Sequence, residues 1–74
     1  MDAQRFRELC IGVFGEGAYK LAIDVGMCSF RCSILKQDGE GKWKEVLNSG
    51  QFSKLQDAVS NTVAHLELKM LMNS

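Results

Sequence analysis

Every second residue of Tyr19-Lys20-Leu21-Ala22-Ile23-Asp24-Val25 is apolar and large: Tyr19, Leu21, Ile23 and Val25 share one side of an extended chain. Lys20, Ala22 and Asp24 take the other side. Beyond Gly26 and Met27, the residues Cys28, Phe30, Cys32 and Ile34 repeat the alternation against Ser29, Arg31 and Ser33. The two runs predict a hairpin that turns at Val25-Gly26-Met27. A second hairpin is predicted at Gln37-Asp38-Gly39-Glu40-Gly41, since Asp-Gly supplies the backbone freedom a tight turn demands. It leads into a third strand over 42–47, where alternation is less clean. With Trp43 and Leu47 toward the core, Glu45 shares their side and Val46 faces out, an arrangement an edge strand tolerates.

The period changes on both flanks. Asp2 is placed to cap a first helix in which Phe6, Leu9, Cys10 and Val13 follow the i, i+3, i+4, i+7 spacing of one apolar face. Gly15-Glu16-Gly17 ends that helix and turns the chain into the first strand. After a loop over 48–51, Ser53 and Gln56 have the spacing of a capping box. Leu55, Val59, Val63, Leu66 and Met70, widened by Ala58 and Thr62, form the stripe expected on the apolar side of the sheet. Ala64, Leu68, Leu71 and Met72 gather on the opposite side of the same helix. One helix cannot bury two sides against one sheet, so these four are expected at a partner interface or packed against the first helix. The expectation is a single α+β domain over 1–74, in the order α-β-β-β-α. Its three-stranded antiparallel sheet is covered on one face by two helices.

Composition narrows what such a domain does. At 74 residues, 46% hydrophobic and 24% charged, the chain is globular but too short to enclose a deep active site. Formal net charge is zero, so any basic site is local. By alternation the polar sheet face carries Lys20, Arg31, Lys42 and Lys44 against Asp24, a patch able to contact a phosphate backbone. No serine or cysteine has the base and orienting group that nucleophilic catalysis needs, and the single histidine, His65, reads as a surface-helix residue. Cys28 and Cys32 lack the knuckle spacing of a zinc site and stand too far apart on one strand for a disulfide. With Cys10 they read as buried thiols. No metal or other cofactor is expected, and no enzymatic activity. No apolar run reaches the length of a membrane span. The opening Met1-Asp2-Ala3-Gln4-Arg5 lacks a basic segment followed by an apolar one, so an intracellular, cytoplasmic protein without membrane partners is expected.

From Cys32 through Asp38-Gly39, Lys42, Val46 and Ser49 to Lys54-Leu55-Gln56-Asp57-Ala58-Val59-Ser60-Asn61, the order and spacing resemble the 14-kilodalton Alu-domain subunit family of the signal recognition particle. Phe6-Arg7-Glu8-Leu9 is similar to its first helix. The family's basic loop between the first two strands is reduced here to Gly26-Met27, and its lysine-rich tail is missing. Double-stranded-RNA-binding domains share the element order, but their basic cluster at the start of the last helix is reduced to Lys54. The Alu-domain resemblance implies pairing with a related small subunit, joined sheets, and RNA contact at the positions of Lys20, Arg31, Lys42 and Lys44.

Two functions follow as expectations. One is a non-catalytic module, homodimeric or heterodimeric, that binds structured RNA through the polar face of its sheet. The other is a protein-protein interaction module, a small adaptor or inhibitor, that acts as a dimer without nucleic acid.

Overall fold

A computed structural model describes residues 2–73. Its elements run α1 (Ala3–Phe14), β1 (Tyr19–Val25), β2 (Phe30–Gln37), β3 (Trp43–Phe52) and α2 (Leu55–Met72). The strands form one antiparallel sheet in the order β1-β2-β3. The α-β-β-β-α order and the three-stranded antiparallel sheet are those the hydrophobic pattern predicts.

The first helix forms as its sequence dictates. Asp2 Oδ1 accepts from the Arg5 backbone N–H at 2.8 Å, and Gly15, at φ +93°, closes the other end by donating its N–H to the Ile11 carbonyl. Leu9 and Cys10 are buried, with Phe6 and Val13 packed beside them. Gly12 has a packing reason as well: the thioether end of Met70 occupies the space a Cβ there would need. α1 thus meets α2 at close range.

At the centre, Ile34 on the middle strand is fully buried under Leu9, Cys10 and Leu66. α2 contributes Ala58, Thr62 and Leu66 as its buried line, whereas Leu55 is exposed and Val59 and Val63 are half-buried. The expected stripe is therefore rotated toward smaller side chains, which let the helix sit close to β2 and β3. Thr62 satisfies its buried hydroxyl by donating to the Ala58 carbonyl at 3.0 Å. Nor does the expected capping box form: the helix starts one residue later, with Lys54 at the N-cap and no side-chain cap bond.

β3 departs furthest from expectation. It runs on through 48–51, the stretch read as a loop, and carries two bulges. Ile34 pairs with Leu47 while Leu35 pairs with Glu45, so Val46 is an extra residue. Val46 and Leu47 both pack against the core. Farther along, Ser49 and Gly50 together oppose Cys32, with Gly50 at φ +77° and Ser49 Oγ accepting from the Cys32 N–H at 3.0 Å. The expected register is corrected accordingly: Trp43 pairs with Gln37 and lies on the sheet face away from the helices, with Glu45 on the same side.

Candidate functional site

Strand pairing sorts the residues of the sheet onto two faces. Paired residues share a face, so Lys20, Ala22 and Asp24 of β1 lie with Leu35, Ser33 and Arg31 of β2 on the open side. β3 adds Trp43, Glu45, Asn48 and Gln51 there. Of the four cations expected on this face, two are on it. Lys44 pairs with Lys36 across the strands and so lies on the helix side, 3.9 Å from Asp38. Lys42 precedes β3, and its backbone N–H donates to Asp38 Oδ1 within the hairpin.

The two cations that remain are engaged. Arg31 Nη2 donates to Glu45 Oε1 at 2.8 Å, and its Nε lies 3.7 Å from Asp24. Ser33 Oγ donates to the same Glu45 oxygen at 2.9 Å, and Asn48 Nδ2 to the other at 3.0 Å. Lys20 Nζ stands 4.4 Å from the centre of the Trp43 ring. Lys20 and Arg31 are thus matched on this face by Asp24 and Glu45, and the concentrated positive patch that alternation predicts does not form.

This cluster has an acid-sensitive signature. The Ser33 hydroxyl, then the Asn48 amide, with Arg31 adding to both, hold the Glu45 carboxyl below its ordinary value. The backbone N–H groups of Lys42 and Glu40 do the same for Asp38 in the second hairpin. A carboxyl whose pKa is depressed by folding contributes stability above its unfolded pKa and loses it as pH falls through the folded value. The urea midpoint is therefore expected to decline from about pH 4.5 downward. In Glu45→Gln that decline should be shallower; an identical acid limb in the variant would show that Glu45 is not its source.

The three cysteines differ in exposure. Burial pushes the Cys10 thiol up to about 11, so it is protonated at neutral pH. Cys32 is buried beneath α2, and Cys28, expected inside, is instead exposed just before β2. His65 is exposed on α2. Among the described residues no group of His, Cys, Asp and Glu is arranged to hold a metal, and no helix is long and apolar enough to cross a membrane.

The helix side of the sheet carries the larger departure. An α-helix is about 10 Å across and strands lie about 4.8 Å apart, so one helix covers about two strands. α2 lies over β2 and β3. On β1, Leu21 and Ile23 stay 41% and 39% exposed and Val25 71%, although their neighbours across the ladder, Ile34 and Cys32, are buried. A groove of about 610 Å³ opens beside Leu21, lined by Phe6 of α1, Tyr19 and Leu21 of β1, and Val59 and Val63 of α2, together with Asp2 and Arg7.

β1 is also a free sheet edge, and it differs from the other one. β3 is broken by two bulges, which twist and blunt an edge against pairing. β1 pairs with β2 without a register break, and so keeps a regular outer edge. Gln37 donates its N–H to the Ala18 carbonyl and Gly26 to the Ser29 carbonyl. These bonds fix the phase of the ladder: Lys20, Ala22 and Asp24 bond to β2, while the N–H and C=O groups of Tyr19, Leu21, Ile23 and Val25 point off the edge. Four residues of β1 with outward backbone groups and an uncovered apolar face therefore lie together. Alternation alone revealed the apolar face; the free edge depended on strand order.

The four residues expected at a partner interface are exposed on α2 but do not form one patch. Ala64, Leu68 and Leu71 flank Val59 and Val63 along the outer side of the helix, whereas Met72, again with Leu68, borders a depression over Val46 and Leu47. Comparison of the chain with protein-family models, curated proteins and solved structures finds no match.

Proposed function

We propose that this chain is a non-catalytic protein-interaction module that works as a pair, meeting its partner through the free edge and helix-side face of β1. The observation that carries this reading is the exposure of Leu21, Ile23 and Val25 on an unblunted edge, with an apolar groove beside Leu21. An apolar strand with unpaired backbone groups is a template for another strand, and folded proteins cover or break such edges unless they use them. The internal pairing of Arg31 with Asp24 and Glu45 also favours a protein partner over a phosphate polymer. Sedimentation equilibrium over a wide concentration range tests the proposal: a folded dimer that dissociates on dilution is expected. A folded monomer at every concentration would overturn it.

A second reading, RNA contact through the open face, is favoured by one arrangement: an exposed Trp43 ring with Lys20 above it. A base-stacking surface beside a cation is the device of single-stranded nucleic-acid sites. Under this reading a short RNA quenches the emission of the only tryptophan at low salt, and the quenching fades as salt rises. Unchanged emission at low salt would dismiss it.

A further inference from the structure

The sequence of β1 is complementary to itself. We infer that the occupant of its free edge is β1 of a second copy, antiparallel and in the register that places the two-fold axis at Ala22. The inference rests on the pairing proposed above and specifies its geometry.

Three independent features select this register. First, the outward-pointing backbone groups belong to Tyr19, Leu21, Ile23 and Val25. A two-fold at Ala22 sets Tyr19 opposite Val25 and Leu21 opposite Ile23, outward residue against outward residue. All four pairs of the dimer exchange both bonds, for about eight backbone hydrogen bonds. Second, the same operation sets Lys20 of each copy opposite Asp24 of the other on the open face. These positions fall in non-hydrogen-bonded pairs, where side chains approach most closely, and opposite charges there stabilise the ladder. A shift of two residues either way leaves both charges without their counterparts. Parallel in-register pairing sets lysine on lysine and aspartate on aspartate.

Third, the apolar surfaces match. The groove walled by Phe6, Tyr19, Leu21 and Val59 lies over the first half of β1, and the most exposed apolar residue of the strand, Val25, is at its far end. Antiparallel pairing brings Val25 of one copy beside Tyr19 of the other, at the mouth of that groove. Each copy thereby fills the gap its partner's α2 leaves open. Such an interface is isologous and closes at two chains, which caps an edge otherwise open to indefinite strand addition.

The register is tested with Ala22→Cys in a Cys28→Ser background, which removes the exposed native thiol. On the two-fold the paired Cα atoms are about 4.5 Å apart, within disulfide range. Mild oxidation is expected to convert the dimer to a covalent one. Alongside it, Lys20→Asp and Asp24→Lys should each weaken the dimer by about tenfold, since each creates two like-charge pairs, and the double exchange should restore it. A dimer by mass that neither cross-links at position 22 nor responds to the charge changes would overturn this register while leaving pairing intact. A folded monomer would overturn both.

Discussion

Changing Val25 to Glu is expected to leave the chain folded and to weaken its dimer by at least about a hundredfold. In a single chain the side chain at 25 is 71% exposed at the end of an edge strand, so a carboxylate there stays in water at little cost. In the pair the same position faces Tyr19 and the apolar groove of the other copy, and the dimer contains two such carboxylates. Burying a charge without a partner costs far more than a missing methyl contact, and each of the two sites has to bear it. Circular dichroism and a urea midpoint near that of the wild type would establish that the variant folds. A Val25→Glu protein that remains dimeric would place the interface elsewhere, with the outer face of α2 as the next surface to change.

The largest effect on stability is expected from Ile34→Ala. Ile34 is on the middle strand, fully buried, beneath Leu9 and Cys10 of α1 and Leu66 of α2, so its side chain joins three elements at once. Truncating a buried isoleucine costs about 2–5 kcal/mol, from lost transfer energy and from the cavity that remains. A domain of this length has roughly 4–11 kcal/mol in total, and each kcal/mol shifts its melting temperature by about 4–8 °C. A drop of about 10 °C or more is therefore expected by differential scanning calorimetry. A shift of only a degree or two would mean that the core is centred on other residues.

How far the sequence reveals this molecule depends on the range of the interaction involved. Local signals read through to the structure: the Asp2 cap, the helical face of Phe6, Leu9, Cys10 and Val13, the bounds of β1, and the Asp38-Gly39 turn. Each is settled within a few residues by capping, periodicity or turn geometry. β3 was not legible in the same way. A bulge inserts one residue and reverses the parity of everything beyond it, so strict alternation puts Trp43 on the wrong face and sends Lys44 to the open one. The continuation of β3 to Phe52 likewise delays α2 past Ser53, and the capping spacing there has no helix end to serve.

The candidate site was half visible. Tyr19, Leu21, Ile23 and Val25 declare an apolar face by period alone. Whether anything covers that face depends on where α2 comes to rest, and the burial of Ala58 and Thr62 in place of Leu55 decides that. A rotation of one helix is a tertiary matter and leaves no mark on the spacing of the sheet. The polar face misleads for a related reason: a list of cations by alternation takes no account of Glu45, which the bulge at Val46 puts on the open face, where its carboxylate meets Arg31.

The most direct measurement is amide hydrogen exchange along β1 as a function of protein concentration, followed residue by residue by NMR. In a single chain the Lys20, Ala22 and Asp24 amides are bonded to β2, while those of Leu21 and Ile23 point to solvent from the free edge. Leu21 and Ile23 are expected to exchange rapidly in dilute protein and to become protected as concentration rises through the dimer transition. Leu21 and Ile23 amides that exchange rapidly at every concentration, in a protein that is dimeric by mass, would contradict pairing through β1.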